Sequence, residues 1–211
     1  MLQEFFPILE GAPMGELWVL LAWAGLLMIA WMFVIWIGQR RRRAGGMEQF
    51  GWTSGLACLA VLYAIQGSGY GPRRFLVALM MTLSAGYLAR RSWVLGQPAE
   101  PAGIRRLFFF ECRALLALVL SLPVALLVLD PWPAITRYEW AGLLLWGIGM
   151  AGQILAESRA AFCAWLVWLS FTVAALETPY GAWTFVCPLI MLPFLRRSEP
   201  PSGEDDPSPV S

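Results

Sequence analysis

Glu111, Arg113, Glu157 and Arg159 are ionisable residues inside or bordering long apolar stretches, and Tyr63 and Tyr87 bring hydroxyls to the same surroundings. A charge held at mid-bilayer costs at least ~2.5–3.5 kcal/mol, so each such group is a functional candidate by default. Glu111 lies in "LFFFECRALLALVL", and a carboxyl in an apolar setting can serve as a proton donor. Glu111 and Arg113 are two positions apart and point to different helix faces, so they do not pair with each other. The bland alternative is that both snorkel to headgroups. Gln153 stands four residues before Glu157, on the same face. The bland reading of Glu157 and Arg159 is a solvated turn, and that of the two Tyr is an interfacial anchor. The proton-donor set is therefore Glu111, Tyr63, Tyr87 and Glu157, with Glu111 foremost. Arg105, Arg106 and Arg159 could supply positive charge to a phosphorylated ligand.

Much chemistry is excluded. The chain has no His, and all fifteen basic residues are Arg. That removes His bases and ligands, Schiff-base lysines and a Walker A loop. Cys58, Cys112, Cys163 and Cys187 stand singly, without C-x-x-C spacing, and read as small buried apolar residues rather than a metal site. Gly147–Gly152, "GIGMAG", has the form G-x-G-x-x-G. A dinucleotide fingerprint must follow a strand; this one lies inside an apolar helix, where small residues allow close packing.

The elements carrying these residues are apolar helices. Hydrophobic residues make up 59% of the 211 and charged residues 14%, against about 25% charged in soluble domains. The net charge of +1 argues against nucleic acid as a partner. A bilayer crossing needs about 20 apolar residues. Leu17–Gly38 has no charge in 22 residues, and it is preceded by Glu4, Glu10 and Glu16 rather than a basic region. It reads as a retained span, not a signal peptide. Six more follow, at roughly Gly51–Gln66, Phe75–Ala89, Leu107–Leu129, Trp140–Ala156, Ala160–Leu176 and Ala182–Leu195. Arg collects on cytoplasmic loops. With the N terminus outside, eleven Arg fall inside and three (Arg73, Arg74, Arg137) outside, with Arg113 in a span. The expectation is an all-α polytopic transmembrane bundle of about seven spans, N-out and C-in. Residues 1–16 form an extracytoplasmic segment, 17–197 the bundle and 198–211 a disordered, Pro- and acid-rich cytoplasmic tail. Pro123, Pro188 and Pro193 could kink helices, but charges deep in the spans are too few for ion transport.

Several stretches carry a family resemblance. They are "WTSGLACLAVLYAIQG" with "GPRRFLVALMMTLSAGYLARR", "LFFFECRALLALVLSLPVALL" with "WAGLLLWGIGMAGQILAESRAAF", and "WLVWLSFTVAALETPYGAWTFVCPLIMLPFL". From about Gly51 to Leu195 their order and spacing resemble the bacterial branch of the steroid 5-alpha-reductase-like membrane family, mostly of unassigned function. The resemblance implies a seven-helix reductase that takes NADPH from the cytoplasmic side. Hydride would go to a conjugated double bond, with an acid and a Tyr protonating the substrate oxygen. The sequence departs from that pattern where the chemistry lies. The family's cofactor loop, with a Ser/Thr-Arg-His-Pro-Asn-Tyr-Phe-like motif, is absent between "ILAESRAAF" and "CAWLVWLSF". The loop after span three is reduced to "GQPAEPAGIRR". Gln49 stands where an Asp is expected, Gln153 where the family has its acid, and Glu157 where it has Asp.

The expectation is thus a non-catalytic membrane scaffold of the bacterial inner membrane, binding a lipophilic small molecule or a partner membrane protein, with no cofactor and no metal. The alternative is a shortened NADPH-dependent reductase of a lipid-like enone or unsaturated acyl substrate.

Overall fold

The computed structural model describes residues 14–42, 47–95, 104–155, 160–178 and 180–190. These residues are all-helical, without strands. The elements are α1 (Met14–Arg42), α2 (Met47–Gln66), α3 (Gly71–Leu95), α4 (Ile104–Leu120), α5 (Leu122–Leu129), α6 (Arg137–Leu155) and α7 (Ala160–Ala174). Short 3-10 turns at Ala175–Glu177 and Gly181–Phe185 follow. Most of the N-terminal segment and the whole tail from Ser198 lie outside the described residues.

α1 is longer than the apolar run that announces it. Glu16 stands in its first turn and Arg40 near its last, and both signs complement the helix dipole. The 29 residues of α1 reach about 43 Å. Its buried residues, Leu20, Ala24, Met28, Met32, Ile35 and Gln39, form one stripe at the i, i+4 and i, i+3 spacing of a single helix face. The opposite face is equally apolar and exposed, with Trp18, Trp23, Leu26, Ile29 and Phe33 on it. The stripe packs on α2 and α4, where Trp31 Nε1 donates to Gly51 O and Ser54 Oγ, each at 3.1 Å.

Among the described residues, two helical stretches are long and apolar enough to cross a bilayer, Gly15–Arg40 and Phe110–Leu129. Phe50–Gln66, Phe162–Glu177 and Gly181–Ile190 are apolar but shorter. Among the described residues, length and composition thus single out two stretches able to cross a bilayer within the all-helical bundle.

The fourth apolar stretch is broken. α4 ends and α5 begins around Ser121, with Pro123 in the first turn of α5. Pro123 has no N–H for the carbonyl four residues earlier, and its ring crowds that carbonyl. The freed group is Val119 O, and the Cys187 thiol donates to it at 3.3 Å.

α6 and α7 form a closely packed pair, and the glycine run explains the approach. A Cβ at Gly142 would lie 2.7 Å from Ser170 O, and one at Gly149 would lie 2.9 Å from Val167 Cγ2. Gly147, within the same run, faces open space. The "GIGMAG" segment is thus a packing surface inside a helix. Replacing Gly142 by Val should destabilise the protein by about 1–3 kcal/mol through overpacking. Gly147→Ala should be neutral or stabilising by up to about 1 kcal/mol. Thermal melts of both variants in detergent check this, and equal melting temperatures would contradict the packing account.

Candidate functional site

Helix topology sets where the candidate proton donors stand. The connection between α2 and α3 lies at the end of the bundle that carries Glu16, since Ser68 Oγ donates to Glu16 at 2.5 Å. Tyr63 is three residues from that end of α2, and Tyr87 is sixteen residues down α3. The two are therefore about 20 Å apart along the bundle.

Tyr63 is fully buried, and its hydroxyl lies 2.7 Å from Ser121 Oγ. Ser121 Oγ also donates to Leu118 O at 2.7 Å, which leaves the Tyr63 hydroxyl as the donor to Ser121. Tyr63 thus serves the α4–α5 break. Tyr87 donates to the backbone carbonyl of Gln153 at 2.6 Å and ties α3 to α6. One turn from it on α3, Ser84 Oγ donates to Met80 O at 2.8 Å and accepts the Trp146 indole N–H at 2.8 Å.

Glu111 stands half-buried near the start of α4, beside exposed Cys112. Ser121, which holds the Tyr63 hydroxyl, lies ten residues further on, about 15 Å along the axis. The structure therefore does not bring Glu111 and Tyr63 together. Glu157 and Arg159 lie outside the described residues, as do the side chains of Arg105 and Arg106. Of the four cysteines, Cys163 and Cys187 are buried, Cys58 is half-buried and Cys112 is exposed, so the small-apolar-core reading fails for Cys112. Among the described residues no three His, Cys, Asp or Glu gather into a metal-binding group.

The strongest polar cluster centres on a residue that charge counting had placed in an outer loop. Arg73, in the first turn of α3, is 1% exposed. Its Nη1 lies 3.0 Å from Asp130 Oδ2 and donates to Asp130 O at 2.9 Å. Its Nη2 donates to Ala134 O at 2.6 Å and to Glu139 Oε2 at 3.3 Å, and its Nε pairs with Glu139 Oε1. Glu139 is itself held: the Thr136 N–H donates to Oε2 at 2.7 Å, and the Glu139 N–H donates to Thr136 Oγ1 at 3.3 Å. That is a reciprocal capping box at the start of α6. Asp130 accepts from the Trp132 N–H at 3.1 Å. Next to Arg73, Arg74 donates to Gly67 O, and the Tyr70 N–H donates to Asp130 O at 3.2 Å. One guanidinium thus fixes the start of α3, the segment after α5 and the start of α6. The T-x-x-E spacing of Thr136 and Glu139 was a readable signal for the cap. The ion partners, 57 and 66 positions from Arg73, had none.

No family model matches the chain, and no curated protein or solved structure matches it.

The two tyrosines should behave as structural residues. Tyr63→Phe should lower stability by about 0.5–1.5 kcal/mol, the net worth of one buried hydrogen bond. Tyr87→Phe should cost a similar amount. Denaturant titration in mixed micelles measures both, and unchanged midpoints would show that the hydroxyls are not needed to hold the bundle.

Proposed function

We propose that this chain is a polytopic integral membrane protein of the bacterial inner membrane, N-out and C-in. Its reductase-like helical scaffold binds a lipophilic molecule or a partner membrane protein without transferring hydride. The observation that carries this reading is the use made of the bundle's tyrosine hydroxyls. Proton donation to a substrate oxygen needs a hydroxyl within hydrogen-bond reach of that oxygen. The Tyr63 and Tyr87 hydroxyls are instead engaged within the bundle at 2.7 and 2.6 Å, at different levels from each other.

Two further observations support the reading. The outward face of α1, and residues such as Leu144, Ile148 and Leu155 on α6, expose large apolar side chains. A soluble monomer rarely carries so extended an apolar surface, whereas lipid favours it. The passage from "ILAESRAAF" to "CAWLVWLSF" also leaves out the stretch that the resemblance assigns to the cofactor. A dinucleotide phosphate requires a preorganised set of cationic and backbone donors. Loss of such a loop removes function more readily than it removes packing.

Titration of the purified full-length protein in detergent with NADPH tests the reading. No saturable binding is expected in the low micromolar range. Binding in that range would favour the shortened reductase acting on an enone or unsaturated acyl lipid. Orientation is checked separately: a fluorescent protein fused to the C terminus should fluoresce, and alkaline phosphatase fused there should be inactive. The reverse pattern would contradict N-out, C-in.

A further inference from the structure

The arginines at the two ends of the bundle are treated differently. At the end that carries Glu16, each described arginine is met by the protein. Arg73 is held by Asp130 and Glu139, Arg74 donates to Gly67 O, and Arg137 lies 3.6 Å from Glu177. α1 and α3 carry Arg40, Arg90 and Arg91 to the opposite end. Arg40 and Arg90 are exposed and Arg91 is half-buried. None of the three meets a carboxylate or donates a hydrogen bond among the described residues. A helix end does not account for Arg90 and Arg91. They stand before the last turn of α3, which closes at Leu95, and the dipole acts within that turn. Arg40 rests over the Trp36 ring, 5.7 Å from its centroid, and stacking of this kind leaves the N–H edge of a guanidinium able to donate.

We infer that this end of the bundle docks the headgroups of anionic glycerophospholipids, with Arg40, Arg90 and Arg91 donating to their phosphodiester oxygens. The inference goes beyond the function proposed above and rests on its membrane reading. Depth supports it. Trp18, Trp132, Trp140 and Trp183 are exposed and stand at the Glu16 end, as a girdle of aromatic residues does at a membrane interface. Trp18 and Arg40 are 22 positions apart on α1, about 33 Å along the helix, against a hydrocarbon core of ~30 Å. Arg73 and Arg90 are about 25 Å apart along α3, and a long side chain snorkels the remainder. The three guanidinium groups thus reach the headgroups of the opposite leaflet. Their chemistry fits as well. A guanidinium presents a planar fork of donors that matches phosphate, and it sheds water more readily than an ammonium does. Such charge-assisted bonds are among the stronger ones. Arg41–Arg43 follow Arg40 in sequence, and α4 begins at the same end with Arg105 and Arg106, so the field there is positive. Phosphatidylcholine offers a phosphate but brings its own cation, so a net anionic lipid is favoured. Each Arg near an anionic surface raises affinity roughly fivefold.

The test measures binding of fluorescent phosphatidylglycerol to the purified full-length protein in dodecyl maltoside. Unlabelled phosphatidylglycerol, phosphatidylcholine and inorganic phosphate serve as competitors at constant ionic strength. Phosphatidylglycerol should compete at least about tenfold better than phosphatidylcholine, and added salt should weaken binding. The double variant Arg90→Gln, Arg91→Gln should lose at least about tenfold in affinity, and Arg40→Gln about threefold to fivefold. Arg90→Lys with Arg91→Lys, which keeps the charge, should retain most of the affinity. Arg137→Gln removes the same charge at the other end and should bind as the unmodified protein does. Circular dichroism melts of the variants should coincide, which separates loss of binding from loss of fold. Equal competition by the two lipids, or a loss in Arg137→Gln as large as in the Arg90, Arg91 double variant, would overturn the docking surface while leaving the membrane reading standing. Displacement by millimolar inorganic phosphate would assign the arginines to a small anion and overturn it as well. A protein that stays monodisperse in buffer without detergent would overturn both.

Discussion

A guanidinium withdrawn from water must have its donors met, and the Arg73 side chain sets that condition for the end of the bundle that carries Glu16. Two carboxylates and two backbone carbonyls meet it, from a segment and a helix start remote in sequence. Desolvating three charged groups is expensive, so such a cluster is weak as a source of net stability. Removing one partner is nonetheless severe, because it strands the others. The cluster therefore acts as a specifier: α3, the Asp130–Ala134 stretch and α6 can take up only one arrangement that satisfies it. The exposed pair Arg137–Glu177, 3.6 Å apart at the surface, carries no comparable constraint.

The same rule orders the interior further in. Pro123 frees a carbonyl, and Cys187 supplies the nearest donor. Ser121 marks the break, and Tyr63 reaches it from α2. These contacts turn residues that look like chemistry into residues that repair a helix. Gln39 and Gln153 are different, since both amides are buried without a hydrogen-bond partner.

Length and apolarity made the helices legible. α1 follows directly from a run without charge, the Phe110–Leu129 stretch from one whose charges, Glu111 and Arg113, stand only in its first turn, and Pro123 announced the break between α4 and α5. The packing role of "GIGMAG" was also readable, since glycine in an apolar helix has little other use. The Arg73 cluster was not. A pair of Arg beside Gly and Pro looks like a loop, and counting charges by loop assigns both to solvent. Nothing local distinguishes Arg73, buried, from Arg74, half-buried; the difference lies in Asp130 and Glu139. The partners of the tyrosines were hidden for a related reason, since a hydroxyl in an apolar helix carries no mark of what accepts its proton. Gln153 was noticed for its face on α6, but its isolation became visible only once α3 and α7 were packed against it.

The central claim is that the Arg73, Asp130 and Glu139 charges hold the fold as one unit, and a double-mutant cycle tests it most directly. Arg73→Gln, Glu139→Gln and the double variant would be unfolded by denaturant in detergent, with folded fraction followed by circular dichroism. Arg73→Gln should lose about 3–5 kcal/mol, and the double variant should lose clearly less than the sum of the singles, with a coupling of about 0.5–3 kcal/mol. Strictly additive losses, or a silent Arg73→Gln, would contradict the account.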